Sequence, residues 1–140
     1  MQLKPTANTR FRIDLDWWDR EGRSFRVELW NHLCPECRQR FVSYRDTETI
    51  DWVDPETAEV MRVDGLWHSL RHCCSERPEY LASDVSLSTA IFRLFLANGN
   101  EPLSALDIWQ RLARRDPDTI LRLLLRGRSY YGIRVFDEQA

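Results

Sequence analysis

Lysine is all but missing from this chain of 140 residues: Lys4 stands alone against 19 arginines. Arginine is permanently charged and forms planar, forked hydrogen bonds that suit carboxylates and phosphates. A lineage-wide preference for arginine gives the same bias, so composition alone carries no argument for nucleic acid. A long apolar run is missing too. The most apolar stretch, Ala90 to Ala97, is broken by Arg93 and falls far short of the roughly 20 residues that a membrane-spanning helix needs. No apolar signal core follows Met1, so the expected compartment is the cytoplasm, with no membrane partner. There is no internal repeat and no low-complexity run. Net charge is small, -2, which excludes a polycation coating nucleic acid along its whole length but leaves room for a local basic face. No nucleophile, base and oxyanion site can be assembled from known signatures, so an enzyme is not expected.

What is present is a capacity to fold. Hydrophobic residues make up 43% of the chain and include six tryptophans, enough for a core in one ordinary domain or two very small ones. Charge and pattern both change near Ser75 to Ser83, where Pro78 resists helix. The first 84 residues carry 12 basic and 16 acidic groups; the remainder carry 8 and 6. The chain therefore divides into a β-rich module over residues 1–76 and a helical domain over residues 84–140.

In the first part, Phe11, Ile13, Leu15 and Trp17 alternate with polar residues, as do Phe25, Val27 and Leu29. Two such runs around Asp19-Arg-Glu-Gly22 predict a hairpin. Arg40 to Tyr44 is a candidate third strand. Ile50–Val53 and Val60–Val63 flank Asp54 to Glu59 and predict a second hairpin with Pro55 in its turn. A helix from Pro55 is the competing reading, set aside because Val53, Val60 and Val63 favour a pleated surface. A short helix over Leu66 to His72 has Asp64 as its cap. Trp17, Trp52, Trp67 and Trp109 fit core positions, whereas Trp18 and Trp30 fall on the opposite strand face, where packing over the zinc module or the C-terminal helices is favoured over an exposed interface.

The second part reads as three helices and a strand. Ser86 or Ser88 caps a helix bearing Ala90, Ile91, Leu94 and Phe95, and Gly99 ends it. Ser104 and Asp107 form a capping box for the second helix, and Asp116-Pro117 opens a third that runs to Gly127. Tyr130 to Phe136 is β-rich. In this order of apolar stripes, residues 85–136 resemble a small winged helix-turn-helix domain. That resemblance implies that the third helix, Pro117 to Arg126, enters a DNA groove.

Cys34-Pro-Glu-Cys37 carries the strongest chemical signal, since two thiolates two residues apart can bind one metal ion. His68, His72, Cys73 and Cys74 form a second cluster. Every cysteine belongs to one cluster or the other, which in a cytoplasmic chain favours metal over disulfides. Structural zinc is the expected cofactor, and the first part resembles a zinc ribbon. Cys34, Cys37 and Cys74 head the ligand set, with Cys73, His68 and His72 competing to complete it. Adjacent Cys73 and Cys74 can both turn inward only if the helix ends near His72. The histidine pair lacks the Glu of HExxH proteases, and a thioredoxin-like use of the Cys pair lacks a βαβ unit. Zinc would hold the first part together, so metal loss is expected to unfold residues 10–75 before the rest.

Asp14, Asp16, Asp19 and Glu21 lack the Gly that a calcium loop needs at its sixth position and read as a solvated face. Arg111, Arg114, Arg115, Arg122, Arg126 and Arg128 cluster around the second and third helices. Arg115, Arg122, Arg126 and Arg128 are the candidate phosphate contacts; Asp107, Asp116 and Asp118 are the acids that could instead neutralise them. The fold class expected is α+β, a zinc-stabilised antiparallel module followed by a winged-helix-like unit. The function expected is that of a double-stranded-DNA-binding transcriptional regulator or accessory factor, acting as a homodimer or with a protein partner. A protein-interaction adaptor without nucleic acid is the alternative.

Overall fold

The computed structural model describes residues 4–41, 43–44, 49–126 and 131–136. Its first strand, β1 (Arg10–Ile13), alternates exposed and buried residues and buries Phe11 and Ile13. The strand is shorter than the alternation suggests. The Asp14 carboxylate accepts from the Asp16 N–H and caps helix α1 (Leu15–Arg20), so Leu15 and Trp17 are helical.

The run from Phe25 to Leu29 is corrected in the same way. It lies in helix α2 (Phe25–Asn31), where the Ser24 hydroxyl accepts from the Val27 N–H. Phe25, Leu29 and Leu33 fit a helical stripe as well as Phe25, Val27 and Leu29 fit a strand, and the cap decides between them. The expected hairpin about Asp19–Gly22 is thus a turn between two short helices, with Gly22 at φ +65°. Helix α3 (Pro35–Arg38) follows with proline in its first turn. Arg40, Phe41, Ser43 and Tyr44 are not in a strand, and residue 42 lies outside the described residues.

The second expected hairpin is present: β2 (Thr49–Val53) pairs antiparallel with β3 (Val60–Asp64), Trp52 facing Met61. Asp64 then accepts from the Leu66 and Trp67 N–H groups and starts α4 (Gly65–His72). Two 3-10 turns, Cys74–Glu76 and Pro78–Leu81, lead to the helical half.

There the caps act as their residues dictate. Ser86 starts α5 (Leu87–Ala97), which ends before Gly99 at φ +74°. After β4 (Leu103–Ser104), the Ser104–Asp107 capping box opens α6 (Ala105–Leu112). The Asp116 carboxylate accepts from the Thr119 N–H at 2.8 Å at the start of α7 (Pro117–Arg126). The last described element is β5 (Ile133–Val135).

The larger sheet has the order β4-β1-β5, entirely antiparallel, with Phe11 opposite both Leu103 and Val135. The strand that begins the described fold is therefore the centre of a sheet whose edges follow α5 and α7. Asn100 fastens it: at φ +63° its side-chain amide accepts from the Ile13 N–H at 2.8 Å and donates to the Ile13 carbonyl at 3.0 Å. One hydrophobic cluster runs from Phe11 through Trp18, Leu29 and Leu66 to Phe92, Ile108 and Ile120.

Trp18 is 1% exposed and meets Trp17 and Phe25 edge-on at 5.4 and 5.6 Å, packed as expected but from a helix and not from the far face of a strand. The reason is the helix: on α1 adjacent tryptophans can both face inward, as on a strand they cannot. Trp109, assigned to the core, is 38% exposed. The fold is α+β, and among the described residues no helix is long and apolar enough to cross a membrane.

Candidate metal centre

The two cysteine clusters meet through the way two helices start and stop. Cys34 precedes Pro35 at the opening of α3, and its carbonyl accepts from the Arg38 N–H at 3.0 Å, closing a tight turn that directs Cys34 and Cys37 to one side. On the other side α4 stops at His72. Cys73 leaves helical geometry at φ -135°, ψ -66°, which frees Cys74 to turn inward.

The sulfurs of Cys34, Cys37 and Cys74 lie within 4.8 Å of one another. Cys74 and Cys34 Sγ are 3.4 Å apart, and the Cys34 N–H donates to Cys74 Sγ at 3.1 Å. The Cys73 thiol acts on the Cys37 thiol along with those of Cys34 and Cys74. Cys73 lies outside this three-sulfur group, Cys37 is fully buried, and none of the four cysteines is in a disulfide.

The electrostatics are those of thiols crowded out of water. Burial first, then the neighbouring thiols, pushes the Cys37 pKa far up, and burial raises Cys74 to about 11. Burial acts the same way on Cys34, but a backbone hydrogen bond from Cys37, the Cys74 and Cys37 thiols and the Arg77 charge overcome it and bring Cys34 down to about 7. One sulfur is thus poised to ionise against neighbours that share its charge. A soft cation, bound by thiolates at tetrahedral spacing, is the group that such a donor set can hold.

Arg77 approaches the cluster from outside. Its Nη2 is ion-paired to Glu36, inside the Cys34–Cys37 turn, and lies 3.9 Å from Cys73 Sγ. Its Nε is buried with no hydrogen-bond partner.

His68 stands elsewhere. Its ring packs against His72 at 4.4 Å and Trp52 at 5.5 Å, so the histidine pair supports the β2–β3 hairpin and is not part of the sulfur group. Burial holds the His68 pKa below its ordinary value, with His72 and Arg71 adding to the effect.

His32, which nothing in its local sequence marks out, is buried beside the cluster. Arg93 Nε donates to its Nδ1 at 3.0 Å, and its Nε2 faces Glu28 at 3.1 Å. A guanidinium only donates, so Nδ1 is an acceptor and the imidazole proton sits on Nε2, toward Glu28. Arg93 is 61 residues from His32, a pairing that no local pattern can signal.

The predicted phosphate contacts fall on a second surface. Arg115, Arg122 and Arg126 line one open groove of about 780 Å³ between α7 and the start of α5 at Ser86 and Ser88. Asp107 and Asp116 are engaged in helix capping. None of the three arginines forms an ion pair among the described residues; Arg122 donates to the Thr119 hydroxyl at 3.3 Å. Arg128 lies outside the described residues. Comparison with protein-family models, curated proteins and solved structures finds no match to this chain.

Proposed function

We propose that this is a zinc-fastened DNA-binding protein, a transcriptional regulator or accessory factor of the cytoplasm. Zinc is held by Cys34, Cys37 and Cys74, with Cys73 as the fourth ligand, and its role is structural. Four sulfurs close the tetrahedron and leave no position for water or substrate, which is how structural sites differ from catalytic ones. The metal clips the α3 turn to the end of α4, two segments that share little other local structure.

The DNA-binding reading rests on the run α5, β4, α6, α7 and β5, the order of a winged helix, with β1 supplying the sheet's middle strand. The observation that carries it is the groove lined by Arg115, Arg122 and Arg126, with the Asp116 carboxylate acting on Arg122 at its edge. Arginines outside close ion pairs can exchange condensed counterions on phosphate for themselves. The protein acts on duplex DNA as a homodimer or with a protein partner.

The test is fluorescence anisotropy of labelled random duplex DNA with zinc-loaded protein at low and moderate salt. Binding that weakens steeply with salt is the expected result; no binding at low salt defeats the DNA reading. The protein-adaptor reading would then stand, favoured by the apolar hairpin surface of Val53, Val60 and Met61, which are 55%, 62% and 40% exposed.

A further inference from the structure

We propose that Arg77 is the charge-balancing residue of the sulfur site: its guanidinium faces the cluster to offset the negative charge that four thiolates leave around one divalent cation. The inference rests on the zinc reading above and adds to it a residue that is not a ligand.

Three observations converge on Arg77. Its Nη2 lies 3.9 Å from Cys73 Sγ. The same nitrogen is paired to Glu36, so one side chain spans both halves of the ligand set, the Cys34–Cys37 turn and the Cys73–Cys74 turn. Its Nε is buried and has no acceptor, a costly arrangement that a negative charge nearby would offset.

The other cations around the cavity that Cys34 and Cys74 line are committed elsewhere. Arg38 donates to the Trp30 and Asn31 carbonyls, and Arg93 to His32 and the Tyr80 carbonyl. Arg77 is the cation of this set with a nitrogen in contact with sulfur, its Nη2 lying 3.9 Å from Cys73 Sγ while paired to Glu36. Hydrogen bonds and charge outside the ligand shell tune a metal's affinity without touching the metal.

The test uses the full chain with Zn²⁺ and with Co²⁺, whose sulfur charge-transfer bands report the ligands. Affinity is read by competition with a chromophoric chelator. R77Q, which keeps a hydrogen-bonding side chain without the charge, should weaken metal binding by about 10–100-fold. It should keep the four-thiolate Co²⁺ spectrum and shift its charge-transfer band to longer wavelength, because sulfurs relieved of a nearby cation are easier to oxidise. R77K should recover part of the loss, and E36Q, which removes the ion pair but leaves the guanidinium, should keep the parental affinity.

Parental affinity and an unmoved band in R77Q would overturn the proposal. So would an E36Q variant as weak as R77Q, which would make Arg77 a strut between two turns. Absence of a thiolate–Co²⁺ spectrum in the parent protein would overturn the zinc reading itself, and that result is read before any variant is made.

Discussion

Tyr80 and Arg93 hold each other by their main chains: the Tyr80 hydroxyl donates to the Arg93 carbonyl at 2.7 Å, and Arg93 Nη1 donates to the Tyr80 carbonyl at 2.8 Å. The guanidinium also sits 5.3 Å from the Tyr80 ring centroid. This reciprocal clasp fixes the 3-10 turn that follows the second cysteine pair against α5. It explains why a charge interrupts the most apolar stretch of the chain, since Arg93 also reaches His32 from there. Phe at position 80 keeps the ring and removes the side-chain donor to the Arg93 carbonyl. Y80F should therefore cost about 1–3 kcal/mol of stability, read from urea denaturation. An unchanged midpoint would show that the clasp contributes nothing.

The same tyrosine sets an alkaline limit. Burial pushes its pKa well above the ordinary 10, with the Arg93 charge pulling the other way and Cys74 adding to the rise. Above pH 10 the unfolded chain releases the proton while the folded one retains it, so stability is complete below that pH and falls as pH rises toward the folded value. The stability gap between the parent and Y80F should narrow above pH 10. A gap constant from pH 8 to 11 would contradict this.

The helical half was legible because its signals are local. Ser86, Ser104, Asp107 and Asp116 each cap the helix that they precede or begin, and Gly99 ends one. The cysteine turns were legible for the same reason. The first thirty residues misled because α1 and α2 have six and seven residues, too few for a helical period to separate from alternation. Asp14 and Ser24 were the deciding caps, and each also looks like an ordinary polar strand residue. The central place of β1 in a sheet with β4 and β5, and the approach of Arg77 and Arg93, depend on contacts between distant segments and leave no mark in local pattern.

Gly132 shows how closely the tryptophans pack. At φ +68°, a Cβ there would come within 2.7 Å of Trp17 Cε3 and 3.2 Å of Trp18 Nε1. Trp18 Nε1 donates to the adjacent Tyr131 carbonyl at 3.2 Å, so neither ring can withdraw freely. Gly22 has nearly the same φ, +65°, with nothing within 4 Å. G22A should cost about 1–2 kcal/mol through backbone strain alone, whereas G132A should add about 1–3 kcal/mol of overpacking. Equal losses in thermal denaturation would contradict the clash.

Metal removal should act locally. The sequence alone suggests that residues 10–75 unfold first, but β1 pairs with β4 and β5 and Trp18 packs on Phe92. Protection should instead be lost where backbone hydrogen bonds depend on the two cysteine turns. Those are the Arg38, Arg40, Cys73 and Arg77 amides, bonded to Cys34, Cys37, Ser69 and Cys74. Hydrogen exchange after chelation should show fast exchange there and retained protection at Phe11 to Ile13. Protection unchanged at the turns would remove the structural role of metal.

Arg122 and Arg126 test the second surface independently of the first. If both touch phosphate, replacing either with Ala should lower affinity for all duplex sequences alike and reduce the salt slope by about 1 per arginine. A base-reading arginine would behave differently, costing affinity on one sequence and little on others. Asp116 offers the internal control: its carboxyl is held below the ordinary carboxylate range by the Thr119 N–H and hydroxyl, so at neutral pH it stays ionised and engaged at the cap. D116N, which can still accept from Thr119, should leave the helix in place and raise DNA affinity modestly by removing one negative charge beside the groove. R122A and R126A with parental affinity and slope would mean that the arginines face only water, and the exposed hairpin residues Val53, Val60 and Met61 would then be the surface to probe.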